Sequence, residues 1–256
     1  MPIVSHEDLC GHPVKQRYYG FDVAERISQA FPDAKVVIGI REQLSMIRSH
    51  YSEYILQGGI WPLSTFCEAD TDRTAGFAPL FEARHLEYDR LIAWYLDRFA
   101  REDVFVMCYE DLVTDQVKFE RNLHAFCGVA VPDVGPKPRE HVSHGAATLE
   151  FQRLINRLGP IRPTWNGDWG RVNIAHKAVI KATALSQKTL PERVQKRART
   201  VLTAEIERLF FGRYRESNTR LSALLGRDLA ALGYEADGFV DGSAVGGGEQ
   251  KEVQYG

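Results

Sequence analysis

Cysteine is scarce and scattered. The four residues, Cys10, Cys67, Cys108 and Cys127, make no CxxC pair and no Cys/His ligand spacing, which argues against a zinc site and a dense disulfide framework. No run approaches the length of a transmembrane helix, and the N-terminus lacks the charged and apolar regions of a secretion signal. The expectation is a reduced, cytoplasmic protein without a membrane span. Charge of one sign is also lacking: 32 basic residues face 34 acidic ones for a formal net charge of -2, so there is no electrostatic case for nucleic acid or an anionic membrane as the principal partner. A Gly-rich Lys-Ser/Thr loop and an acidic magnesium motif are both missing, which argues against a P-loop phosphotransferase. There is no internal repeat.

What is present is an ordinary globular composition, 44% hydrophobic and 26% charged over 256 residues, enough for one substantial core. One domain over residues 1–235 is expected. From about Ala236 onward Gly, Ser and charged residues dominate, and residues 236–256 read as a disordered tail.

The stretch AKVVIGIREQLSMIRSHYSEYILQGG, from Ala34 to Gly59, changes pattern halfway. Val36, Val37, Ile38 and Ile40 form a short apolar run that reads as a strand buried on both faces. Leu44, Ile47, Tyr51, Tyr54 and Ile55 then recur at helical spacing until Gly58-Gly59. Arg41 stands at the joint, at the carboxyl end of the strand, where α/β sheets bind ligands and where a guanidinium fork suits a pair of phosphate oxygens. A solvated side chain or a pair with Glu42 is the alternative. Ser49, about two helical turns on, could serve the same anion if the chain folds back over the strand end.

Other elements follow the same logic. Ile3-Val4-Ser5 is a strand stub, which would set Glu7 just past its carboxyl end, where a carboxylate could accept a proton; a surface acid or cap is the alternative. Phe21 to Phe31 is helical, and together with the Ile3 and Val36 strands it would complete a βαβ unit. His85 to Arg98 reads as a helix and Asp103 to Tyr109 as a second buried strand, followed by a helix capped near Gly128. Further helices are expected over Ala146–Leu158 and Pro191–Phe211, where Val194, Ala198, Val201, Leu202, Ile206, Leu209 and Phe210 form the buried face. Lys196, Arg197 and Arg199 read as a solvated helix face. His141 and His144 have no third ligand at a usable spacing.

Three strings resemble one family. KVVIGIREQLSMIRSHY is similar to the 3′-phosphate-binding segment of sulfotransferases that use 3′-phosphoadenosine 5′-phosphosulfate (PAPS), in which a strand ends in Arg and a Ser follows eight positions on. VFVMCYEDLVTDQVKFERNLHAFCGV is similar to the strand ending in Tyr-Glu-Asp and the helix after it, and RYRESNTRLSALLGRDLAALGY to a C-terminal signature of bacterial members. The resemblance implies an α/β fold, a parallel sheet flanked by helices as in P-loop NTPase-like sulfotransferases. It implies that Arg41 and Ser49 hold the 3′-phosphate, that Tyr109 contacts the adenosine, and that Arg139 of the loop VPDVGPKPREHVSHG adds a basic contact. It implies a catalytic base at Glu7, with His6 as the alternative.

The family's opening strand and its Lys-Ser-Gly-Thr loop, which grip the 5′-phosphosulfate, do not occur in the chain, so it resembles a member without its first strand, loop and first helix. That loop supplies donors to the departing phosphate, and losing such donors slows transfer by orders of magnitude. Two expectations therefore stand: a sulfotransferase passing a sulfuryl group from PAPS to a hydroxyl or amine, with a saccharide as the family-based guess, or a catalytically impaired nucleotide-binding or interaction module of the same fold. Neither requires a metal.

Overall fold

The computed structural model describes residues 3–12, 17–68, 81–131, 145–158, 181, 185 and 189–237. Among them two strands form a parallel sheet, β1 (Val36–Ile40) and β2 (Val104–Cys108), in a register that runs from Val36 opposite Val104 to Ile40 opposite Cys108. Parallel neighbours need a long crossover. Here it holds α2 (Gln43–Leu56), α3 (Leu63–Glu68), a 3₁₀ turn (Ala83–Leu86) and α4 (Tyr88–Leu96). Helix α1 (Gly20–Ala30) precedes β1, while α5 (Tyr109–Thr114) and α6 (Gln116–Cys127) follow β2. Beyond them come α7 (Ala146–Leu158), α8 (Glu192–Phe210) and α9 (Arg215–Leu225).

Most of these elements start and stop where their residues dictate. Glu42 caps α2, its carboxylate accepting from the backbone N–H groups of Leu44 and Ser45, both at 2.7 Å, which satisfies two of the orphan donors of the first turn. Asp115 caps α6 by accepting from the Lys118 N–H. Gly128 ends α6 in the left-handed region at φ 66°, a conformation that glycine adopts without a Cβ penalty.

The core lies on one side of the sheet. Ile38 and Ile40 pack there with Ile47, Tyr51, Tyr54 and Ile55 of α2, Ile92 and Tyr95 of α4, and Leu202, Ile206 and Phe210 of α8. Among the described residues the other side is covered beside β2, where Phe126 of α6 stacks on Phe105 at 5.2 Å between centroids. Val37, 40% exposed, and Gly39 face outward. The expectation of a strand buried on both faces is therefore wrong for β1, because among the described residues no helix lies over Val37. Val194 and Val201 are likewise exposed, so the buried stripe of α8 is narrower than its apolar pattern.

A second correction concerns the N-terminus. Residues 3–6 carry no regular structure, and Ile3 and Val4 are each 79% exposed. Three residues without a ladder partner cannot satisfy their backbone groups as a strand. The βαβ unit over Ile3, α1 and β1 does not form, and Glu7 opens a 3₁₀ turn (Glu7–Cys10) packed near α1.

A buried polar network ties the C-terminal region to the start of α2. Gln43, 1% exposed, donates to Asn218 Oδ1 at 2.6 Å and to the Leu86 carbonyl at 3.3 Å. Asn218 donates back to Gln43 Oε1 at 3.1 Å and to the Glu235 carbonyl at 3.0 Å. Asp89 of α4 accepts from Ser217 and, at 2.7 Å, from Arg220, both on α9.

Candidate functional site at the strand ends

The parallel register decides which side chains meet. With Ile40 opposite Cys108, the next residues on each chain, Arg41 and Tyr109, leave the sheet side by side, and Glu42 and Glu110 follow. The Arg41 guanidinium carbon sits 4.6 Å from the centroid of the Tyr109 ring, a cation–π arrangement. The Glu42 N–H donates to Glu110 Oε1 at 2.9 Å, and the Tyr234 hydroxyl donates to Glu110 Oε2 at 2.9 Å. The Arg41 carbonyl accepts from the Tyr88 hydroxyl at 2.8 Å. The Arg41–Glu42 peptide segment is thus held from both sides by groups distant in sequence.

Arg41 Nε is buried and has no hydrogen-bond partner, although an unpaired buried donor carries a desolvation cost of about 1–3 kcal/mol. The acid beside it is occupied elsewhere, since Glu42 caps α2, so the alternative Arg41–Glu42 ion pair does not form. Burial raises the Glu42 carboxyl, its two amide donors pull the other way, and the charge of Glu110 adds to the rise. Arg48, on the second turn of α2, is pushed down by burial and then by the charges of Arg41 and Arg199.

Three histidines lie nearby. His50 is pushed down to about 3 by burial, helped by His85, His12 and Arg41, and His85 to about 4 by burial and His12. His12 binds Glu53 through Nε2 at 3.2 Å, while its Nδ1 is buried without a partner.

Of the residues the sequence singled out, the structure brings Arg41 and Tyr109 together. Ser49 lies on an exposed position of α2, next to Arg48, and His6 is exposed ahead of the Glu7 turn. Arg139 lies outside the described residues, as does residue 238 onward of the expected tail. Glu110 and Tyr88, which hold the joint, were not singled out by the sequence. Glu110 had a readable signal, because it follows Tyr109 just as Glu42 follows Arg41. Among the described residues no group of three or more His, Cys, Asp or Glu could hold a metal ion, and no helix is long and apolar enough to cross a membrane.

A parallel sheet with a cation and an aromatic ring at its carboxyl edge sets both where α/β proteins bind ligands. Comparison narrows it: residues 12–133, which include both strands and Arg41, Ser49 and Tyr109, match the model of the sulfotransferase family. A sulfotransferase from Alicyclobacillus acidocaldarius, known from its crystal structure, has a similar fold at a TM-score of 0.51 and 20% identity, over 83% of this chain and 62% of that one. The chain thus spans under two thirds of that protein's length. No curated protein matches the chain.

Proposed function

We propose that this chain binds PAPS at the β1–β2 strand ends and serves sulfuryl transfer to a hydroxyl or amine of a small-molecule or saccharide acceptor. The observation that carries this reading is the buried, unpartnered Nε of Arg41 beside the Tyr109 ring. A phosphate oxygen would accept from that donor, and the ring offers a face on which an adenine can stack. In this reading Ser49 donates its hydroxyl to the same phosphate from α2, and Arg139 adds a second cation. Glu7, or His6 in its place, takes the acceptor's proton as its oxygen or nitrogen attacks sulfur. When bound, the nucleotide supplies the sulfuryl group and a phosphate as leaving group.

The resemblance assigns these residues to the 3′-phosphate half of the nucleotide. Because the chain carries no Lys-Ser-Gly-Thr-like stretch for the other half, a second reading is kept: a module that binds the nucleotide without transferring sulfate. Calorimetry with 3′,5′-adenosine diphosphate tests what the two share. Arg41→Ala is expected to weaken binding at least about tenfold, the loss of a charge-assisted phosphate contact; equal affinity in the variant removes the nucleotide reading. Transfer of radiolabelled sulfate from PAPS to acceptors, lost in Glu7→Gln, separates the enzyme from the binding module.

A further inference from the structure

The described residues include two tryptophans, and their surroundings differ. Trp94 of α4 is covered: the Arg98 guanidinium lies 3.5 Å from its ring centroid, and the Phe21 ring meets it edge-on at 5.6 Å. Trp61 is 47% exposed and, among the described residues, has neither a ring nor a cation over it. Its backbone is nevertheless pinned from two helices. The Ile60 and Trp61 N–H groups donate to the Tyr54 hydroxyl of α2 at 3.3 and 3.2 Å, and the Trp61 carbonyl accepts from the Tyr51 hydroxyl at 3.3 Å. From α7, Asn156 donates to the Gly59 carbonyl at 2.8 Å and Arg157 Nε to the Ile60 carbonyl at 3.2 Å. Gly59 permits this packing because a Cβ there would collide with the Tyr54 ring.

A single exposed indole is ordinary. One carried on a pinned backbone beside an available guanidinium is preorganised, because binding has little freedom left to remove. Arg157 spends only Nε on Ile60, and among the described residues its two amino groups have no partner. Arg153, one turn earlier, is neutralised by Glu150 at 2.6 Å, so of these two arginines only Arg157 is uncompensated. One cation and one indole do not suit a large partner. A nucleic-acid strand or an anionic membrane calls for a row of cations, and a stable protein interface buries about 800 Å² on each side. A sugar ring suits both groups. Its axial C–H groups carry partial positive charge and lie on the negative face of the indole, while its hydroxyls stay hydrated on an open surface that would leave a small apolar ligand half-exposed. A carboxylate on that ring matches the planar fork of Arg157.

We infer that Trp61 and Arg157 form a platform for a uronic-acid residue of a saccharide, the indole carrying the ring and the guanidinium its carboxylate. The platform belongs to the junction of α2 with α7 and shares no residue with the strand-end site. It therefore stands apart from the nucleotide reading.

The test is calorimetric titration of the full chain with tetragalacturonate and with maltotetraose, which has sugar rings but no carboxylate. Tetragalacturonate is expected to bind about tenfold more tightly, the gain from one charge-assisted pair. Arg157→Gln should remove that difference and leave maltotetraose unchanged. Trp61→Ala should weaken both sugars at least about tenfold and Trp61→Phe less, as apolar ring area is lost. Trp94→Ala, which removes the covered indole, should weaken neither. Thermal midpoints within a degree or two of wild type show that each variant folds; if Trp61→Ala does not, Trp61→Phe and Arg157→Gln carry the test. A chain that binds neither sugar, a preference for the acid that survives Arg157→Gln, or equal losses in Trp61→Ala and Trp94→Ala overturns the platform. Binding of 3′,5′-adenosine diphosphate is untouched by any of these outcomes, so the two readings fail separately.

Discussion

Acid should destabilise this protein through His50 before it protonates most carboxylates. His50 sits at about 3 and His85 at about 4 in the folded chain, against roughly 6.5 for an unfolded histidine. The folded value lies below the unfolded one, so the unfolded chain takes up the proton first. The stability each ring contributes is complete above about pH 6.5 and is lost as pH falls towards the folded value. Each proton so linked changes unfolding free energy by about 1.4 kcal/mol per pH unit. Between pH 7 and pH 5 the loss comes to about 2 kcal/mol for His50 and a similar amount for His85, once the partial protonation of the unfolded chain near pH 7 is included. Urea unfolding at pH 7, 6 and 5 reads this directly. The His50→Gln variant, which cannot titrate, should lose about 2 kcal/mol less over that window than wild type. Parallel losses in the two proteins would refute the reasoning, since they would mean that His50 is solvated or already protonated in the folded state.

Two further outcomes follow from hydrogen bonds. Asn218→Ala strips Gln43 of its buried partner and should cost about 1–3 kcal/mol in urea unfolding, while the double change Gln43→Leu with Asn218→Leu should recover part of that loss by removing both polar groups. Glu110→Ala releases the Glu42 N–H and the Tyr234 hydroxyl together; weaker binding of 3′,5′-adenosine diphosphate, by roughly tenfold, is expected as the Arg41 segment loses its support, with a smaller effect for Tyr234→Phe.

The parts of the fold that were legible are those encoded locally. Strands β1 and β2 show as short β-branched runs, and α1, α2 and α6 as apolar stripes with Gly128 as a stop, because periodicity and capping depend on near neighbours. The Ile3 stub failed for the complementary reason: a strand exists only with a partner, and three residues of suitable type do not say whether one is available. Arg41 and Tyr109 could be singled out by their place after apolar runs, but not the register that sets them side by side. Glu42 stood as the alternative partner for Arg41, whereas backbone amides of the first turn of α2 take both its oxygens. Arg199 read as one cation on a solvated helix face, and its exposure agrees with that.

The Tyr234 hydroxyl reaches back across most of the chain to Glu110, and Asn218 does the same to Gln43. During synthesis both strands leave the ribosome long before these two residues are made. A nascent chain ending at α8 carries Arg41 and Tyr109 but has neither the phenol that steadies Glu110 nor the amide that steadies the first turn of α2. The brace behind the strand ends is thereby tied to synthesis of the segment from Asn218 to Tyr234, and a product shortened ahead of Asn218 keeps the strands without it.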